Sequence, residues 1–108
     1  LAILEASGVA AELDLDAVPV LDGALELSER GVRSSLWPEN HSAIEARMFG
    51  AVDTAKAALL YDPQTAGGLL ATVAASDAEA ALGELAAAGV KAAAIGRIVA
   101  AEPRLTLV

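Results

Sequence analysis

The sequence predicts an α+β fold in which helices pack on a small mixed β-sheet. From Val9 to Asp16 apolar and polar residues alternate, which indicates a half-buried strand. Residues 69–75 form a nearly continuous apolar run, which is typical of a central strand. Residues 92–99 and 105–107 add two more predicted strands. With 108 residues, the chain is expected to form one domain, 1–108, with a modest core.

Helices are predicted between these strands from their start and stop signals. Gly8 ends a first helix, and Pro19 and Gly31 bound a second. The Ser42/Glu45 and Ser76/Glu79 pairs have the spacing of capping boxes. The predicted helices are residues 1–7, 19–31, 42–50 and 76–89, with one or two further turns at 54–60 and a loop at 31–40.

The composition excludes several classes of function. A formal net charge of −8 argues against binding to nucleic acid or to anionic lipid. The absence of cysteine removes disulfides, thiolate metal sites and cysteine nucleophiles from this chain. A single histidine excludes a metal site built from several histidines. We therefore expect no nucleic acid and no membrane among its partners, and no metal site of its own.

The chain begins at Leu1 with residues that read as the end of a helix already under way. We expect it to be a piece of a larger protein. No apolar run approaches the length of a transmembrane helix, and no secretory signal pattern occurs. A cytoplasmic setting is the resulting expectation.

The segment with the most unusual chemistry is Asp62-Pro63-Gln64-Thr65-Ala66-Gly67-Gly68-Leu69-Leu70. Pro63 favours extended backbone at Asp62, and the paired Gly67 and Gly68 allow positive φ and close approach of a ligand. Such a turn can expose backbone N–H groups to an anion. It matches neither a Walker A loop nor a dinucleotide fingerprint. A purely structural turn is the alternative.

A second polar segment, residues 33–42, holds Arg33, three serines, Asn40 and the single His41. A catalytic Ser–His pair is conceivable there, but the segment lacks a nucleophile elbow. A polar surface loop is the simpler interpretation, with Trp37 half packed and His41 facing solvent. Acidic residues on the strand at 9–16 (Glu12, Asp14 and Asp16) are interpreted as a solvated strand face rather than as a Mg²⁺ site.

Residues 62–70 closely resemble a signature of the selenophosphate synthetases (selenide, water dikinases), which lies in the C-terminal domain of that family. Weaker matches follow the family's order over nearly the whole chain. They are residues 1–16, Gly31-Val32-Arg33-Ser34-Ser35-Leu36, Pro38-x-Asn40 and Ala94-Ile95-Gly96-Arg97-Ile98. Ala66 stands where many members have serine, which argues against an essential hydroxyl at that position.

The resemblance implies a fold like the C-terminal domain of aminoimidazole ribonucleotide synthetase. It also implies a dimeric parent enzyme that uses ATP, Mg²⁺, selenide and water to make selenophosphate. The reactive cysteine or selenocysteine, the essential lysine and the Mg²⁺-binding aspartates of the family would belong to an N-terminal ATP-binding domain. No catalytic residue is therefore expected in these 108 residues, which alone would be inactive and bind no cofactor.

What the resemblance carries over is a loop that faces the ATP cleft. Its residues are Asp62, Gln64, Thr65, Gly67 and Gly68, and Arg33, Ser34, Ser35 and Asn40 are further cleft-facing candidates. Two other classes of function stay open. One is a noncatalytic interdomain, dimer-packing or small-ligand regulatory module, and the other is the same domain of a sister enzyme that acts on phosphorylated purine or thiamin precursors.

Overall fold

The computed structural model describes residues 1–64 and 67–108 of the chain. Its sheet has four strands in the order β2-β4-β1-β3. The strands are β1 (Ala10–Leu13), β2 (Met48–Gly50), β3 (Gly96–Val99) and β4 (Leu105–Leu107). β1 is antiparallel to β3 and parallel to β4, which is parallel to β2. The prediction of an α+β fold with a mixed sheet is thus confirmed.

Five α-helices occur in the described part of the chain, with three short 3₁₀ segments beside them. The helices are α1 (Ala2–Ser7), α2 (Ala24–Glu29), α3 (Trp37–Ile44), α4 (Ala55–Ala58) and α5 (Ala78–Ala87). The 3₁₀ segments are Glu45–Arg47, Leu59–Tyr61 and Ala75–Asp77. Gly8 ends α1 with a φ of 63°, as predicted.

The buried core lies where the sheet meets α3 and α4. Leu15, Met48, Ala57, Tyr61 and Leu107 form one buried cluster. Half-buried apolar side chains pack around it, namely Leu13, Trp37, Ile44, Val52, Leu60 and Leu105. The core therefore fixes the positions of α3 and of the segment that leads into residue 62.

Strand β1 is shorter than the predicted strand 9–16 because a turn begins at Asp14. The Asp14 carboxylate accepts hydrogen bonds from the backbone N–H groups of Asp16 (3.0 Å) and Ala17 (3.2 Å). β3 likewise starts only at Gly96, opposite Leu13. A Cβ at Gly96 would overlap the carbonyl oxygen of Glu12, so the backbones of β1 and β3 approach each other closely at Gly96.

The predicted helix at 42–50 is wrong in its bounds. α3 begins at Trp37, within the predicted loop, and has Pro38 in its first turn, where the missing N–H costs nothing. Ser42 therefore lies inside the helix instead of capping it. After the 3₁₀ segment the chain extends into β2, which the sequence interpretation missed. The second predicted helix also begins late, at Ala24.

The prediction of a central strand at residues 69–75 is wrong. Residues 67–74 pair with no strand, and Leu69 is fully exposed, Leu70 65% exposed and Val73 56% exposed. An apolar run becomes a central strand only when it pairs with a strand on each side. The sheet described here is formed by β2, β4, β1 and β3, and this run pairs with none of them. The segment instead forms an exposed apolar strip, defined here as Leu69, Leu70 and Val73.

Candidate functional site

Helix α3 is tied to the segment that precedes the loop at 62–68. The Trp37 indole N–H donates a hydrogen bond to the carbonyl of Ala58 at 2.8 Å. One helical turn later, the Asn40 side-chain amide donates to the carbonyl of Tyr61, also at 2.8 Å. The polar segment at 33–42 thus contacts the chain immediately before Asp62, where the loop begins.

The Arg33 side chain makes its contacts with nearby parts of the chain. One guanidinium nitrogen donates to the carbonyls of Ser28 and Val32, each at 2.8 Å. The same guanidinium lies 5.6 Å from the centre of the Trp37 ring, which is within the range of a cation–π contact. Arg33 therefore braces the start of α3.

The two serines beside Arg33 differ in their surroundings. The half-buried Ser34 accepts a hydrogen bond from the N–H of Leu36 at 3.2 Å, just ahead of α3. Ser35 is exposed. Of the four further candidates from the sequence, only Ser35 makes no side-chain hydrogen bond within residues 1–64 and 67–108.

The loop itself lies on the surface. Asp62, Gln64, Gly67 and Gly68 are all exposed, and Thr65, with Ala66, lies outside the described residues. A Cβ at Gly67 would come within 3.0 Å of the Gln64 side-chain oxygen, whereas one at Gly68 would meet nothing within 4 Å. The loop thus presents open backbone at Gly68.

Glycines outside this loop have the positive φ that glycine permits. They are Gly8, Gly23, Gly31, Gly50 and Gly89 among the described residues, whereas Gly68 does not have positive φ. What distinguishes Gly67 is the Gln64 side chain, whose oxygen would lie 3.0 Å from a Cβ at Gly67.

An aromatic cluster stands beside the α3 anchor. Trp37 and His41 are stacked with ring centres 4.8 Å apart, and Tyr61 meets Trp37 edge-on at 5.4 Å. The His41 imidazole lies 4.8 Å from the Tyr61 ring, and its Nδ1 lies 3.2 Å from a Glu45 carboxylate oxygen. Trp37 is half-packed as predicted, but His41 is half-buried rather than facing solvent.

A pocket of about 430 Å³ opens next to this cluster. His41, Glu45, Ala46, Met48, Val52, Asp53 and Tyr61 line it. Burial of the Tyr61 ring, and then the negative charges of Asp53 and Glu45, raise the pKa of Tyr61 above 10.0. Sequence reasoning missed this pocket, because its walls come from segments far apart in the chain. The spacing of four between Trp37, His41 and Glu45 was the available signal, since it places them on one helix face.

In the described residues, no group of three or more His, Asp or Glu side chains is arranged to hold a metal ion. Glu12 pairs with Arg97 across β1 and β3 at 2.6 Å, and Asp14 caps the turn after β1. The described helices are all too short or too polar to cross a bilayer.

Comparison with known proteins gives a consistent result. The model of the family "AIR synthase related protein, C-terminal domain" matches residues 1–108. A protein of Agathobacter rectalis named "Selenide, water dikinase" is 37% identical over 84% of this chain and 27% of its own length. Proteins of the same name from Myxococcus xanthus and Shewanella sp. MR-4 are 36% and 38% identical, over 100% and 76% of the chain.

The chain spans between about a quarter and a third of these relatives, 27% of the Agathobacter protein, 31% of the Myxococcus protein and 23% of the Shewanella protein. The resemblance to selenophosphate synthetases based on residues 62–70 is confirmed by these matches, and so is the expected fold. The chain belongs to the AIR synthase related family, whose C-terminal domain it matches along its whole length.

Proposed function

We propose that this chain is the C-terminal domain of a selenophosphate synthetase, an enzyme that makes selenophosphate from selenide, ATP and water. The observation that carries the proposal is the exposure of residues 62–64 and 67–68, which follow a segment that two hydrogen bonds tie to α3. The names of the relatives, all selenide, water dikinases, support the same reaction. The cytoplasm remains our expectation for its location.

In this proposal the loop borders the ATP cleft of the parent enzyme. The backbone N–H groups of Gly67 and Gly68 orient a phosphate group, and the Gln64 amide and the Thr65 hydroxyl are neutral donors beside them. Donors held in place before the reaction stabilise developing charge without reorganising. The anchored base at Tyr61 and the open backbone at Gly68 support this role.

The chemical step itself belongs to other parts of the parent. We expect an N-terminal domain to supply the reactive cysteine or selenocysteine, the lysine and the aspartates that bind Mg²⁺, and to form the homodimer. The 108 residues alone are then inactive towards ATP. Measurable ATP turnover by the purified chain would contradict this division of roles.

A glycine substitution in the full-length parent tests the role of the loop. Gly67→Val places a branched side chain against the side chain of Gln64, whose oxygen and Cβ would lie 3.0 Å and 3.3 Å from the new Cβ. Because Gln64 is exposed, its side chain can move aside, and the fold should tolerate the substitution. We expect selenide-dependent AMP formation to fall roughly 100-fold, because the added side chain displaces the loop and its N–H groups no longer point at the phosphate, which is comparable to losing one positioned donor. Gly83→Ala is the matched control, because its Cβ enters open space in α5, outside the loop. Unchanged turnover in Gly67→Val would refute the proposal.

The exposed apolar strip favours a second candidate, a noncatalytic packing module. Leu69, Leu70 and Val73 are exposed apolar side chains close together in the sequence, and exposed apolar surface is typical of contact sites. If packing is the domain's whole role, Leu70→Ser in the parent weakens the association between its domains while Gly67→Val leaves turnover intact. The cleft-wall role predicts instead that Gly67→Val lowers turnover more than Leu70→Ser does.

A further inference from the structure

Three side chains from α2 and α3 donate hydrogen bonds to backbone carbonyls of residues 55–61, the segment that leads into the loop at 62–68. The three bonds are Ser28 to Ala55 at 2.6 Å, Trp37 to Ala58 at 2.8 Å and Asn40 to Tyr61 at 2.8 Å. The acceptors are spaced three residues apart, so they follow one side of α4 and of the 3₁₀ segment after it. The segment is therefore held along its whole length by donors from elsewhere in the chain.

Residues 55–61 depend on these donors because they form little structure of their own. α4 has four residues, and the 3₁₀ segment after it has three. Helices this short are unstable in isolation. All the residues of the segment are buried or half-buried, so a carbonyl that lost its partner would be costly. The side-chain donors thus fix where the segment ends, and the exposed loop begins at the next residue, Asp62.

Trp37 is the middle donor, and its ring is held from several sides. The Arg33 guanidinium lies 5.6 Å from the centre of the ring. His41 is stacked on the ring, with the centres 4.8 Å and the planes 18° apart, and Tyr61 meets it edge-on at 5.4 Å. These neighbours fix the orientation of the indole, so its N–H is aimed at the carbonyl of Ala58.

We propose that Trp37 is a positioning residue for the reaction of the parent enzyme. Its indole N–H fixes the place of residues 55–61 and, through them, the direction in which the loop presents Gly67 and Gly68. The proposal rests on the role proposed above for that loop at a phosphate group, and Trp37 itself touches no substrate. A hydrogen bond has a defined length and direction, whereas apolar packing of the ring is non-directional. The N–H therefore contributes a precision that the ring alone does not.

Trp37→Phe tests the N–H, because phenylalanine keeps an aromatic ring at this position but has no donor. The first measurement is ¹⁵N relaxation of the 108-residue chain. In Trp37→Phe the order parameters of the Asp62 and Gln64 amides should fall from about 0.85 to below about 0.6. Ser42→Ala, an exposed position on the same helix, is the control and should leave them unchanged. Unchanged order parameters in Trp37→Phe overturn the proposal.

The second measurement is selenide-dependent AMP formation by the full-length parent. In Trp37→Phe, kcat should fall about tenfold while KM for ATP changes less than about twofold, because a displaced loop loses a contact that forms in the transition state. Leu4→Ala controls for lost stability, since Leu4 is buried in α1 and lies outside the core cluster around Tyr61. An equal fall of kcat in Leu4→Ala overturns the proposal, because the loss would then follow from stability alone.

Comparison with Gly67→Val separates this inference from the proposed function. If Gly67→Val lowers turnover and Trp37→Phe does not, the positioning role of Trp37 is refuted and the role of the loop stands. If neither substitution lowers turnover, the role of the loop at a phosphate is refuted, and the positioning role is refuted with it. A fall of kcat in both variants, together with the lower order parameters in Trp37→Phe, is the result that the proposal predicts.

Discussion

The side-chain amide of Asn40 donates a hydrogen bond to the backbone carbonyl of Tyr61 at 2.8 Å, across 21 residues of sequence. This contact fixes the end of the 3₁₀ segment Leu59–Tyr61, and Asp62 follows directly. Asn40 therefore holds the residue that immediately precedes the loop at 62–68. The half-buried position of Asn40 makes the bond costly to lose, since the Tyr61 carbonyl would be left without this donor.

Replacing Asn40 by alanine should lower the free energy of unfolding by about 1–2 kcal/mol, because the carbonyl of the buried Tyr61 loses its partner. Urea unfolding measures the change. Ser42→Ala is the matched control, since Ser42 is exposed on the same helix, and it should change stability by less than about 0.5 kcal/mol. Equal effects of the two substitutions would show that the Asn40–Tyr61 bond contributes nothing.

Glycine substitutions test the close approach of β1 and β3. Gly96→Ala forces a Cβ into the carbonyl oxygen of Glu12 and should destabilise the chain by about 1–3 kcal/mol. Gly83→Ala adds the same methyl group inside α5, where nothing lies within 4 Å. That control should stabilise the chain by roughly 0.5–1 kcal/mol, because alanine favours helix over glycine. Unchanged or increased stability in Gly96→Ala would contradict the close approach of β1 and β3.

The raised pKa of Tyr61 predicts a loss of stability at alkaline pH. Burial, followed by Asp53 and Glu45, raises this pKa above 10.0 in the folded chain. The unfolded chain then releases the phenol proton at lower pH and binds fewer protons, so the free energy of unfolding falls as pH rises. Tyr61's contribution is present below the unfolded pKa and is lost as pH rises through the folded pKa.

Tyr61→Phe should remove this part of the pH dependence, because phenylalanine has no proton to release. Urea unfolding of both proteins between about pH 9 and 11 provides the comparison, since the lysines and arginines are common to both. The difference in stability between the original chain and Tyr61→Phe should shift in favour of the variant as pH rises. If stability depended on pH in the same way in both proteins, the pKa of Tyr61 would be the same in the folded and the unfolded chain.

The exposed apolar strip gives a prediction that separates the observed structure from the predicted central strand. Leu69→Ser should change the free energy of unfolding of this chain by less than about 0.5 kcal/mol, because Leu69 is fully exposed. Leu107→Ala, in the buried core, should cost about 2–5 kcal/mol. A comparable loss from Leu69→Ser would mean that residues 69–75 are buried after all.

Local sequence pattern was sufficient where an element depends on its own residues. β4 lies at 105–107 as the alternation predicted, and Gly8 ends α1 as expected. The helical turns predicted at 54–60 are α4 and the following 3₁₀ segment. There the Thr54 hydroxyl accepts a hydrogen bond from the N–H of Ala57 at 3.0 Å and caps the helix.

The pattern failed where distant segments decide the structure. The Ser42/Glu45 spacing imitates a capping box, but Pro38 starts the helix earlier, and pairing with β4 draws Met48–Gly50 into a strand. A three-residue strand has too little periodicity to be predicted alone. Residues 69–75 show the converse, because their strongly apolar pattern predicts a strand but they pair with no strand in the structure.

The candidate site was predictable only in part. Residues 62–70 were recognised because a proline, an amide and two glycines stand close together in the sequence. The contacts of Asn40 with Tyr61 and of Trp37 with Ala58 each span 21 residues and leave no local trace. The pocket at Asp53 and Tyr61 has the same origin, since packing of α3 on the core creates it.

The most direct test of the central proposal is amide hydrogen exchange in the full-length parent, with and without ATP. If the loop borders the nucleotide, ATP should slow exchange at Gly67 and Gly68, whose backbone N–H groups are proposed to face a phosphate. Exchange at Gly83, which lies on exposed α5, should stay unchanged. Equal exchange at Gly67 and Gly68 with and without saturating ATP would contradict the proposal that this domain forms part of the ATP cleft.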